Sequence, residues 1–170
     1  LKRGEWSKNT FLDSSYSLNG KMLGVIGAGN IGRQTADKAR AFGARIQYYD
    51  EYRLSPEMEK KYELEYTALD DLIATSDIIT LHIPLTQKTR HLIGSGQISR
   101  MKQGAILINT ARGGLVDEKA LADAVREGRL LGAGIDCVEE EPLSPDDPLL
   151  NTPGIIVTPH IGGGTADIAD

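Results

Sequence analysis

Four groups of residues in this 170-residue sequence have the types and spacing to do chemistry. The first is Gly27-Ala28-Gly29-Asn30-Ile31-Gly32, a G-x-G-x-x-G run. In that spacing the first glycine permits a tight turn and the second lets backbone approach a pyrophosphate. The third lets the following helix pack closely on the strand, with the helix N-terminus facing the phosphates. The second group is Asp50, 18 positions after Gly32. A carboxylate about 20 residues beyond the glycines accepts the adenosine ribose hydroxyls and repels a 2′-phosphate, which points to NAD over NADP. Asp50 could instead merely start a turn, but the strand, glycines and helix before it favour the cofactor reading. Arg53, close by, is the residue that could soften the NAD preference.

The third group is Asn109-Thr110-Ala111-Arg112-Gly113-Gly114. Arg112 could be a surface residue capping a helix. Between a strand end and two glycines, it reads better as a guanidinium gripping a carboxylate through two parallel hydrogen bonds. Gly113 and Gly114 would let the backbone turn away so that this side chain projects over the cofactor. The fourth group is His160, in Thr158-Pro159-His160-Ile161-Gly162-Gly163-Gly164, with Glu139-Glu140-Glu141 as a source of a partner carboxylate. An imidazole there can exchange a proton near neutral pH, and a carboxylate beside it favours the charged form. Spacing alone leaves open which glutamate that is, and the run could be only a solvated loop. Asp136 reads as a cofactor-side carboxylate or a turn former. His82 could line the site through its backbone, and His91 reads as structural.

These groups need a frame. Met22 to Ile26 reads as a first strand, Arg33 to Phe42 as a helix and Ala44 to Tyr49 as a second strand. A connector from Glu51 to Lys61 holds a short helix after Pro56. A third strand is expected at Glu63–Tyr66, helical spacing at Leu69–Ile73, and a fourth strand from Asp77 to Ile83, ending at Pro84. Gly96 to Met101 reads as a helix and Ala105 to Ile108 as a strand. Asp117 caps a helix whose Leu121, Ala124 and Val125 share a face. Leu131 to Ile135 is a sixth strand, a Pro-rich loop runs from Glu139 to Pro153, and Ile155 to Val157 is the last strand. Short apolar strands alternating with helices indicate an α/β fold, a doubly wound parallel sheet with both faces covered. Ligands then bind beyond the carboxyl ends of the strands, and all four groups fall at such ends.

Length bounds the chain to one domain. A formal charge of −5, with the basic residues scattered, argues against a nucleic-acid surface. The single cysteine, Cys137, allows no internal disulfide, so a reducing compartment, the cytoplasm, is expected. No apolar run approaches a membrane span, no ligand cluster suggests a metal, and the N-terminus lacks the apolar region of a signal peptide. Residues 1–17 read as a connecting segment in which Trp6, Phe11, Leu12 and Tyr16 pack against a neighbouring part. The chain opens on Leu1, not Met, and is expected to be cut from something longer.

Assembled in order, these stretches resemble the D-isomer-specific 2-hydroxyacid dehydrogenases, specifically their NAD-binding domain of the Rossmann type. The matching runs are Gly24 to Gly32, Leu81-His82-Ile83-Pro84-Leu85-Thr86, Asn109 to Gly113, Asp136 to Pro142, and Thr158 to Gly163. The resemblance implies a catalytic trio of Arg112, Glu141 and His160. Arg112 would bind and polarise a 2-keto acid and His160 would protonate the developing alkoxide. Glu141, chosen because it directly precedes Pro142, would keep His160 oriented and protonated. Asp136 would hold the nicotinamide carboxamide, with further cofactor contacts from Asn30, Ile31, Pro84, Thr89, Thr110, Ala111 and Gly162. It also implies a homodimer, a substrate domain missing from this chain, and a helix from 164 to 170 leading back toward it. A fragment of this kind should bind NAD and turn over little by itself. Among family substrates the His160 loop looks most like those of phosphoglycerate dehydrogenases and hydroxypyruvate reductases. An NADH-sensing, dehydrogenase-like corepressor is the alternative. Glu141 speaks against a formate dehydrogenase, which carries glutamine there.

Overall fold

A computed structural model describes residues 15–164. Seven strands form one sheet in the order β3-β2-β1-β4-β5-β6-β7, and every neighbouring pair is parallel. The strands are β1 (Met22–Ile26), β2 (Arg45–Tyr49), β3 (Glu65–Tyr66), β4 (Ile78–Leu81), β5 (Ala105–Asn109), β6 (Leu130–Ile135) and β7 (Ile155–Val157). Between them run α1 (Asn30–Ala41), α2 (Pro56–Tyr62), α3 (Leu69–Thr75), α4 (Ser95–Arg100), α5 (Glu118–Arg126) and α6 (Pro148–Asn151). The strand order reverses between β1 and β4, the point at which a doubly wound sheet opens a ligand crevice.

Alternation along the strands divides the core in two. Leu23, Val25, Ile46 and Tyr48 pack with Ala36 of α1 on one face. Ile26, Ile79, Leu81, Leu107 and Ile135 pack with α3, α4 and α5 on the other. Fully buried side chains of this size each contribute roughly 1.5–3 kcal/mol. The expectation that both faces are covered holds only in part among the described residues. On the α1 face the sheet beyond β4 leaves Ile106 and Ile108 half-buried, and Ile156 is 71% exposed.

Several expected boundaries shift. α1 begins at Asn30, not Arg33, because its first turn grows directly out of the glycine turn. β3 is two residues long, and β4 stops at Leu81, leaving His82 to Pro84 as irregular chain on the ligand edge. The Pro-rich loop contains α6, which Asp147 caps through the Leu149 N–H and Pro148 begins. The connecting-segment residues Trp6, Phe11 and Leu12, and the helix expected after Gly164, lie outside the described residues; Tyr16 is 61% exposed.

Register is what aligns the site. Tyr49, Ile26, Leu81, Asn109, Ile135 and Val157 pair with one another across the sheet as its last aligned row. The next residue on each strand is therefore Asp50, Gly27, His82, Thr110, Asp136 or Thr158, all on one edge.

Candidate active site

At the β1 end, Gly27 has φ +99°, and a Cβ there would lie 2.5 Å from the His82 carbonyl oxygen. Gly32 is tighter, since its Cβ would lie 2.0 Å from the Gly27 oxygen. Gly29 is different. Its φ of −65° suits any residue, and no protein atom lies within 4 Å of a Cβ built on it. The N–H groups of Asn30, Ile31 and Gly32 make no backbone hydrogen bond among the described residues, so the positive end of α1 faces this open space. Ile31 stands 69% exposed beside it. Asp50 is fixed to the same turn: Ala28 N–H donates to Oδ2 at 2.8 Å and Tyr52 N–H to Oδ1 at 3.0 Å. Arg33, not anticipated from sequence, braces the turn through the Ala28 oxygen and Asn30 Oδ1.

Between the two halves of the edge, His82 N–H donates to the Ile26 oxygen at 2.7 Å and its Nε2 lies 3.0 Å from Thr80 Oγ1. Burial lowers its pKa and favours the neutral ring. Pro84 and Thr89 close a turn in which the Thr89 hydroxyl donates to the Pro84 oxygen at 2.8 Å and accepts from Thr86 N–H. Thr89 thus shapes the rim, its hydroxyl already engaged in the turn.

Beyond β5, the buried Asn109 clamps the loop ahead of it. Its Oδ1 accepts from Ala111 N–H at 3.1 Å and its Nδ2 donates to the Arg112 oxygen at 2.8 Å. Thr110 and Arg112 are left exposed. The reason for Gly113 is not the one expected. A Cβ on it would lie 2.0 Å from the Val138 carbonyl carbon, so this glycine lets two loops touch and does not serve to re-aim Arg112. A single 3₁₀ turn, Gly113–Leu115, follows.

Beyond β6, Asp136 is buried and accepts three hydrogen bonds, from the Thr158 hydroxyl and from the N–H groups of Ile161 and Gly162. Burial tends to raise its pKa, but these donors and the nearby His160 hold it below the ordinary aspartate range. The carboxylate therefore staples the His160 loop to β6. His160 sits at φ +54°, a left-handed conformation enriched at functional sites. Its Nδ1 lies 3.0 and 3.2 Å from the two carboxylate oxygens of Glu141. The three-glutamate ambiguity is thus resolved in space: Glu139 pairs instead with His91 at 2.6 Å and Arg90 at 3.1 Å, so His91 is structural. Glu139 N–H donates to Glu118, whose carboxyl is pushed up by burial and by the Glu139 charge.

Arg112, Glu141 and His160 line one cavity of about 300 Å³, with Cys137 on its wall. Burial pushes the Cys137 thiol up, which suits a structural group and not a nucleophile. An adjoining cavity of about 550 Å³ shares Glu141 and His160 and adds Asp136, Leu143 and Val157. Among the described residues no group of three or more His, Cys, Asp or Glu is placed to hold a metal ion, and no helix is long and apolar enough to cross a membrane.

Residues 1–162 match the family described as D-isomer specific 2-hydroxyacid dehydrogenase, NAD binding domain. The chain belongs to this family. It is 44% identical over 162 residues to a glyoxylate reductase of Korarchaeum cryptofilum, covering 94% of this chain and 48% of that protein. To a D-3-phosphoglycerate dehydrogenase of Methanocaldococcus jannaschii it is 48% identical over 168 residues, covering 98% and 31%. The crystal structure of a glyoxylate reductase from Paecilomyes thermophila superposes with a TM-score of 0.88 at 42% identity, covering 98% and 49%. The chain spans between about a third and a half of the length of these relatives.

As a 2-hydroxyacid dehydrogenase cofactor domain the chain takes NAD, and its own geometry fits that group. The space above Gly29 admits a pyrophosphate, the N–H groups opening α1 supply donors, and Asp50 is held where it can accept ribose hydroxyls.

Proposed function

We propose that this chain is the cofactor half of an enzyme that interconverts a small D-2-hydroxy acid and its 2-keto acid with NAD(H), and that Arg112, Glu141 and His160 are its catalytic residues. The observation that carries the reading is the shared cavity, in which a guanidinium and an imidazole, the latter held by a carboxylate, face one space. Bound NADH would supply the hydride for reduction, and NAD+ would take it in the reverse direction. Arg112 grips the substrate carboxylate and draws electron density from the carbonyl. Glu141 accepts from Nδ1–H and offsets the ring's charge, which leaves Nε2 to face the substrate oxygen. As hydride reaches the 2-carbon, the proton on Nε2 passes to the alkoxide; oxidation reverses both transfers.

Asp136, through its remaining oxygen lone pair, would hold the nicotinamide carboxamide while its other bonds hold the His160 loop. Gly27, Gly29 and Gly32, with Asn30, Ile31, Asp50, Pro84, Thr89, Thr110, Ala111 and Gly162, form the remainder of the cofactor surface. Glyoxylate, hydroxypyruvate and the keto form of phosphoglycerate are the substrate classes favoured, since similar proteins carry the names glyoxylate reductase, hydroxypyruvate reductase (Thermotoga maritima, 45% identical over 171 residues) and D-3-phosphoglycerate dehydrogenase. A second domain completes the substrate cleft, two subunits pair through their cofactor domains, and the enzyme works in the cytoplasm. A panel of 2-keto acids with NADH and NADPH, run on the complete protein, tests the reading. Turnover of none of them would refute it, and so would steady NADH consumption by residues 1–170 alone, without a second domain.

A further inference from the structure

Arg53 is the cation that could defeat NAD selectivity, for it lies three residues beyond Asp50 on the loop where an arginine accommodates a 2′-phosphate. The structure holds it elsewhere. Its Nε lies 2.8 Å from Glu59 Oε1 and its Nη2 3.1 Å from Oε2, a fork-to-fork pair. The guanidinium stacks 4.9 Å from the centre of the Tyr66 ring. Glu59 is itself held from behind. The buried Tyr48 hydroxyl donates to Oε1 at 2.7 Å while accepting from Leu54 N–H at 3.0 Å. The Glu59 side chain is only 16% exposed, whereas that of Arg53 is 61% exposed. The anchor is therefore the half-buried partner and the cation the exposed one.

We propose that Glu59 is a specificity-determining residue: by engaging Arg53 it withholds the cation on the loop after Asp50 from the adenosine ribose, so that the rim carrying Asp50 rejects a 2′-phosphate. The inference rests on the NAD-binding reading of the glycine turn. Selectivity then has two parts. Asp50, pinned by Ala28 and Tyr52, supplies the repulsion, and Glu59 removes the counter-charge that would offset it. Glutamine at 59 separates them, because its amide oxygen still accepts from Tyr48 while the charged fork is lost.

Direct titrations of the protein with NADH and NADPH, followed by nucleotide fluorescence, test this. Wild-type protein should prefer NADH. Glu59→Gln should narrow the NADPH-to-NADH ratio of Kd values by about two- to fivefold, the scale of one exposed charge contact. Arg53→Ala should leave the ratio at its wild-type value, and Glu59→Gln combined with Arg53→Ala should restore it. An unchanged ratio in Glu59→Gln overturns the proposal. So does a ratio that widens in Arg53→Ala alone, since Arg53 would then already serve the cofactor. Arg53 is exposed, so that second variant can still overturn the proposal if Glu59→Gln fails to fold. Failure of wild-type protein to bind NADH is a separate result, which would overturn the cofactor reading and this proposal with it.

Discussion

Glu141 presents both carboxylate oxygens to a single nitrogen of His160, at 3.0 and 3.2 Å from Nδ1. A carboxylate accepts, so Nδ1 carries the hydrogen and Nε2 is the nitrogen free to exchange a proton with substrate. In the complete enzyme, Glu141→Gln should lower kcat roughly 10²-fold or more, the range of a positioned acid–base group, with a smaller effect on NADH affinity. Steady-state kinetics beside NADH titration checks the split. His160→Gln should abolish turnover while leaving NADH bound. If the protein is instead an NADH-sensing binding module, that variant would keep its partner and its biological output.

Gly29 and Gly32 should separate cofactor binding from folding. Gly32→Ala forces a Cβ to within 2.0 Å of the Gly27 oxygen, which should cost about 3 kcal/mol by overpacking and abolish NADH binding as well. Gly29→Ala meets no protein atom at an ordinary φ, so stability should change by less than about 1 kcal/mol. NADH affinity should nevertheless fall steeply. Urea melts and NADH titrations on both variants measure the two effects; a Gly29→Ala protein that binds NADH normally would contradict the pyrophosphate placement.

His82 should make the fold acid-sensitive. Its folded pKa lies below the unfolded value of about 6.5, because burial disfavours the charged ring. The unfolded chain therefore binds the proton more readily. Stability is full above pH 6.5 and is lost as the pH falls from there toward the folded value. Unfolding free energies at pH 7.5 and 5.5 should differ less in His82→Gln than in wild type. An identical pH dependence would show that another group carries it.

Asn109 should matter to Arg112 without touching substrate. Asn109→Ala leaves Ala111 N–H without its partner and the Arg112 oxygen with only the Leu115 N–H, costing about 1–3 kcal/mol, and loosens the loop that aims the guanidinium. In the complete enzyme KM for the keto acid should rise more than kcat falls.

The parts legible in the sequence were those with a period or a fixed spacing. The G-x-G-x-x-G turn, Asp50 at 18 residues and the apolar strands read directly, because each is a local constraint repeated at every level of the fold. The glutamate run was not legible from spacing. Adjacent residues in an irregular loop have no period to aim them, so only the resemblance favoured Glu141, and only the packed loops separate it from Glu139. The need for Gly113 is not legible in the sequence, because it arises from Val138, distant along the chain. The Glu59–Arg53 pair looked like an ordinary charged connector, and Asn109 was read only as part of a strand end, since neither shows its partner before the chain folds. α6 falls in the stretch that reads as a Pro-rich loop, because four residues are too few to show a helical rhythm.

The shared row of paired residues also sets where this protein can tolerate change in length. One residue added within β5 or β6 would carry Arg112 or Asp136 a strand step of about 3.3 Å past its neighbours and turn each inward side chain outward. The opposite rim, where Gly43, Gly104 and Gly128 make the return turns, is under no such obligation. Insertions, tags or cross-links placed there should leave the chemistry untouched, whereas the carboxyl rim accepts alteration only in side chains.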